Sequence, residues 1–95
     1  MSLQFEWDPK KAKANQVKHK VSFEDAVTVF ADPLARIFDD DEHSGHERRE
    51  LIVGHTIQQE LLLVSFTAID ERVRVLSARK ATRREHKDYE ENISS

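Results

Sequence analysis

Asp32-Pro33 divides this chain into two patterns. Before it, Phe23, Ala26, Val27 and Phe30 recur at i, i+3, i+4 and i+7, the spacing of one helical face. After it the signal has period two: in Arg72–Ala78, Val73 and Val75 alternate with Arg72 and Arg74. A chain that changes period once, with hairpin-length joints on the strand side, is restricted to an α+β fold. The expectation is two N-terminal helices packed on an antiparallel sheet of four or five strands, then a lightly docked C-terminal helix.

Local chemistry marks the boundaries. Gln4–Trp7 reads as a short strand, and Asp8-Pro9 opens a helix with Asp as N-cap and Pro at its first position. Only Ala14, Val17 and Val21 give that helix an apolar stripe. Ser22 caps a second helix, which ends at Asp32-Pro33. Leu34–Phe38, Arg49–Thr56, Leu61–Thr67 and Arg72–Ala78 read as strands, with a polar loop at Asp39–Glu47 and a tight turn near Gln58-Gln59. Thr82-Arg83-Arg84-Glu85 is a capping box opening a last helix whose inward stripe is His86, Tyr89 and Ile93. No repeat or linker interrupts the 95 residues, so one domain spans 1–95.

Charge narrows the function classes. The chain carries 15 Lys+Arg against 18 Asp+Glu, yet residues 72–87 hold seven cations against Glu85 alone. A basic patch of this kind holds a polyanion even on a chain of net charge −3; mutual neutralisation of the blocks on folding is the competing reading. The absence of cysteine excludes disulfides, a thiol nucleophile and Cys-based zinc sites. No apolar run is long enough for a membrane span, and the start has no signal-like core, so a cytoplasmic protein without membrane contact is expected. His43 and His46 lie near Asp39–Asp41 at irregular spacing with no further ligand, so neither a metal nor any other cofactor is expected.

Three segments carry candidate chemistry: KHKVSF at 18–23, HSGHERR at 43–49 and SARKATRRE at 77–85. Together with FEWDPKKAKANQVKHKVSFEDAVTVFADP they resemble the BrnT family of bacterial type II toxins, in order from Phe5 to Tyr89. The resemblance implies a RelE-like fold, metal-independent ribonuclease activity, and a toxin–antitoxin hetero-oligomer with a DNA-binding, ribbon-helix-helix antitoxin of the BrnA type. Two positions depart from the family. Lys20 stands where it usually has Gly, and Gln59-Glu60 stand where it commonly has Gly-Arg.

The residues supply a parallel argument. Cleaving RNA without a metal needs a base for the 2′-hydroxyl, an acid for the departing 5′-oxygen, and cations for the charge developing on phosphorus. Arg79, Lys80 and Arg83 stand where a strand passes into a helix, whose free N–H groups also favour an anion. Glu47 is the candidate base, Arg48 a phosphate ligand, and His19 the candidate acid. Arg72, Arg74 and Lys18 join Arg83 as candidate RNA contacts. Arg84–Asp88 and Lys87–Glu91 read as helix-surface pairs at i, i+4, and His55 and Tyr89 read as structural. The alternative function is a binding module of the same fold that grips protein or nucleic acid without cutting.

Overall fold

A computed structural model describes residues 3–42, 45 and 47–94, with side chains to residue 91. The elements are β1 (Gln4–Glu6), α1 (Pro9–His19), α2 (Phe23–Ala26), a 3₁₀ turn (Val27–Ala31), β2 (Arg36–Asp39), β3 (Glu50–His55), β4 (Leu61–Ile69), β5 (Arg72–Lys80) and α3 (Arg83–Ser94). The five strands form one sheet in the order β1-β5-β4-β3-β2. The helix-on-sheet α+β arrangement is thus as expected.

Strands β2 to β5 are antiparallel neighbours, but β1 pairs with β5 in parallel. Short connections enforce antiparallel pairing between β2 and β5. No hairpin joins β1 to β5, so that rule does not reach it.

The core lies between one sheet face and the N-terminal helices. It holds Phe23, Ala26 and Val29 against Ile52, Leu62, Val64, Phe66, Val73, Val75 and Ala78. Phe30 links the layers through ring contacts with Phe5 and Phe66. The second helix differs from its expected 3.6-residue stripe. It tightens into a 3₁₀ turn after Ala26, and a period of three carries Phe23, Ala26 and Val29 inward while Val27 and Phe30 stay half-buried.

Of the expected stripe of α1, Val21 is buried just past the helix end, while Ala14 and Val17 face solvent, Val17 at 67% exposure. The residue α1 buries is Asn15. Its Nδ2 donates to the carbonyls of Val21 (2.9 Å) and Ala78 (2.8 Å), and its Oδ1 accepts from the Ala78 N–H (3.1 Å). Because β1 reaches only Arg72–Arg74 of β5, the edge of β5 at Ala78 has no strand beside it. The Asn15 carboxamide takes that place, exchanging two hydrogen bonds with Ala78 as a paired peptide would.

The caps form as read from the sequence. Asp8 accepts from Lys10 N, Ser22 from Asp25 N, and Thr82 and Glu85 bond reciprocally. Lys20 closes α1 at φ 60°, its N–H donating to the Gln16 carbonyl, and Gln59 turns the β3–β4 hairpin at φ 67°. Both departures from the family's glycines therefore fall on left-handed backbone, where a Cβ is unfavourable.

Candidate active site

Read as an uninterrupted strand, β5 puts Arg79 on the face of Val73, Val75 and Ser77. The structure corrects this. Ser65 pairs with Ser77 but Phe66 pairs with Val75, so Leu76 is an extra residue in a β-bulge. Beyond it the parity changes: Ala78 joins Val73 and Val75 in the core, while Ser77 and Arg79 join Arg72 and Arg74 on the opposite, outer face. On that face α3 lays Tyr89 against Val53 and Leu61. Register sets two rows of side chains across the face, Arg36–Val53–Leu63–Arg79 and Phe38–Leu51–Ser65–Ser77.

Arg79 is held by α3. Its Nη1 and Nη2 donate to the two oxygens of Glu85 at 2.8 and 2.9 Å, and Nη1 also donates to the Lys80 carbonyl at 3.2 Å. Three of five guanidinium donors are thus used, leaving Nε–H and one Nη2–H for a further anion. Bonding to Arg79, with help from the Thr82 amide, outweighs partial burial and brings the Glu85 carboxyl down to about 2. The same pair raises the pKa of Arg79. Glu85 therefore aims Arg79 while offsetting part of its charge. Lys80 and Arg83, both exposed, supply positive charge around it at the start of α3.

The other expected residues fall into three places. His19 and Lys18 line a cleft between α1 and β5 with Lys11, Leu76 and Ser77. Ser77 also lines the cleft of Arg79, so that residue borders both clefts. Arg72 and Arg74 share Glu6, at 3.5 and 3.0 Å. They stand at the far end of β5, Arg74 about 16 Å from Arg79 at some 3.3 Å per residue. Arg48 bonds Asp39 through Nε and Nη2 at 3.2 and 2.7 Å, which raises its pKa. Glu47 is exposed and lines neither cleft. His43 and His46 lie outside the described residues, as does the side chain of Ile93. Lys87 pairs with Glu91 at 4.0 Å as expected.

Sequence reasoning missed Arg49, Asp40 and Glu42, which line the Arg79 cleft. The signal that finds Arg49 is register: it stands two residues before Leu51, in the row of Ser77.

The expected inward stripe of α3 holds at Tyr89, which is buried, and fails at His86, which is exposed; the half-buried Glu85 joins Tyr89 on the inward side. Tyr89 is buried against Val53 and Leu61, packs edge-on to the His55 ring, and donates its hydroxyl to Asp32 Oδ2 at 2.9 Å. Burial and that bond push the phenol up to about 12. Burial raises the Asp32 carboxyl, but bonds from the His55 and Leu34 amides and the Tyr89 hydroxyl outweigh it, so its pKa lies below the usual value.

Comparisons with known proteins bear on the family and the fold. A family model described as the ribonuclease toxin BrnT of type II toxin–antitoxin systems matches residues 7–85. Among solved structures the fold is similar to the 1.1 Å crystal structure of the Brucella abortus ribonuclease toxin BrnT. The TM-score is 0.65 at 21% identity, covering 86% of this chain and 100% of that one. No curated protein matches the sequence.

Proposed function

The chain belongs to the BrnT family of ribonuclease toxins of type II toxin–antitoxin systems, and from that premise we propose that it cleaves RNA without a metal ion on the outer face of its sheet, at Arg79. The observation that carries this is the bulge at Leu76. It turns Arg79 out of the core face and lets Glu85 fix the guanidinium with two donors unspent.

In this reading the RNA 2′-oxygen attacks the adjoining phosphorus and the 5′-oxygen leaves. Arg79 and Lys80 stabilise the charge that develops on the phosphorane, and Arg83 holds a neighbouring phosphate. His19, whose cleft shares Ser77 with that of Arg79, protonates the leaving oxygen, with Lys18 beside it. Asp40 and Glu42 line the Arg79 cleft and Glu47 does not, so the base is assigned to that pair in preference to Glu47. Arg48, bound to Asp39, acts at the rim. Arg72 and Arg74 lie too far along β5 to share one phosphate with Arg79.

A ribbon-helix-helix antitoxin of the BrnA type neutralises the toxin in the cytoplasm by covering the surface from Arg79 to Arg83. Its association is steered by charge and weakened by salt.

Cleavage of RNA by the purified protein in the presence of a chelator tests the reaction. Arg79→Ala should cut about 10²–10³-fold more slowly while still folding and binding the antitoxin. Arg84→Ala should cut like the parent. Equal cutting by Arg79→Ala would remove the assignment. A parent that binds RNA but does not cut it would leave the binding-module reading.

A further inference from the structure

We propose that the groove on the outer sheet face between Phe38 and Arg79 is a subsite for one unstacked nucleobase of single-stranded RNA, with Phe38 as its stacking platform. The inference rests on the ribonuclease reading and adds to it the part of the substrate that lies beside the phosphate.

The groove follows from register. Leu51, Val53 and Leu63 floor it, and the ends of the two cross-strand rows wall it: Arg36 and Phe38 on β2, Arg79 on β5. Three inter-strand steps of about 4.8 Å set these walls about 14 Å apart at the backbone. The cavity is about 270 Å³, room for a flat ring but not for a helix about 10–12 Å across. Its charged lining is balanced, Arg36 and Arg79 against Glu85 and Asp88. A phosphate therefore gains little inside, whereas an uncharged base meets no net repulsion there.

Phe38 is 46% exposed on an edge strand and belongs to neither core cluster. An exposed aromatic ring facing, across the groove, an arginine with unspent donors suits a single strand, with one base on the ring and its phosphate on the cation. Arg79 thus serves the groove and the phosphate site at once, placing the stacked base next to the scissile bond.

The test uses a short single-stranded RNA, 2′-O-methylated throughout so that it is not cut, with 2-aminopurine at one position. Binding to the parent should quench its fluorescence. Phe38→Ala should bind roughly 5- to 150-fold more weakly, Phe38→Trp should retain binding and quenching, and Ile37→Ala, on the other face of β2, should match the parent. Melting temperatures establish that all three fold. Full affinity in Phe38→Ala would overturn the proposal, as would a loss confined to antitoxin binding, which would make the groove a protein-docking site. Cleavage of unmodified RNA is scored separately. A parent that cuts while Phe38→Ala binds normally loses the subsite and keeps the ribonuclease reading; a parent that stacks the base but does not cut keeps the subsite and loses that reading.

Discussion

Replacing Asn15 with Ala should cost far more than a helix-surface substitution. The change strips partners from the Val21 carbonyl and from both the carbonyl and the N–H of Ala78. Each buried group left unsatisfied costs about 1–3 kcal/mol. The cleft beside α1 gives water some access, so the low end applies, and three groups amount to about 3 kcal/mol. A domain of this size has roughly 5–14 kcal/mol in total, and each kcal/mol moves its midpoint by about 4–8 °C. Thermal unfolding followed by circular dichroism should therefore show a fall of about 12–24 °C. Asn15→Asp supplies the mechanistic control. It keeps the shape but turns a carboxylate oxygen toward two carbonyls, and protonation restores one donor. Its defect should shrink as pH falls through the carboxyl's pKa, while that of Asn15→Ala should not. A midpoint within about 4 °C of the parent for Asn15→Ala would refute the account, and α1 would then be held by something other than its amide.

Glu85 has its folded pKa depressed from 4.5 to about 2, so its stabilisation is complete above about pH 4.5 and lost as pH falls toward 2; Glu85→Gln should abolish that acid-side dependence in a pH series of urea unfolding curves. Tyr89→Phe removes the hydroxyl bond to Asp32 and should cost about 1 kcal/mol, read as a drop of about 4–8 °C in the same melt. The raised pKa of Tyr89 means that its contribution is full below about pH 10 and lost toward 12, so spectrophotometric titration should find this phenol ionising late. Lys20→Gly and Gln59→Gly relieve left-handed strain that outweighs the freedom glycine adds to the unfolded chain. Each should stabilise by about 0.5–1 kcal/mol in denaturant titrations.

What was legible in the sequence was local chemistry. Asp8-Pro9, Ser22 and the Thr82–Glu85 box announced three helix starts, because a cap and its partner lie within three residues. β-rich composition found β3 and β4, and period-two alternation found β5. The bulge stayed hidden because Leu76 carries no turn signal, and Val73, Val75, Ser77 and Arg79 read as one continuous face. Asn15 passed for solvated polarity since its second partner, Ala78, is 63 residues away. Val17 misled in the opposite sense: an apolar residue at helical spacing that nothing covers. For Glu85 the capping role was readable and the grip on Arg79 was not, because that bond crosses a strand–helix joint whose angle only the fold defines.

The parallel pairing of β1 with β5 has a consequence in time. Gln4 is registered against Arg72, 68 positions later in the chain. At a synthesis rate of about 5–20 residues per second, β1 waits roughly 3–14 s before its partner exists. Closing so long a loop comes late and slows folding, since non-local contacts must first overcome loop entropy. Arg79, Lys80 and the α3 carboxylate that aims Arg79 are made later still. The nascent chain therefore passes most of its synthesis on the ribosome, amid RNA, without the joint proposed to hold the phosphate.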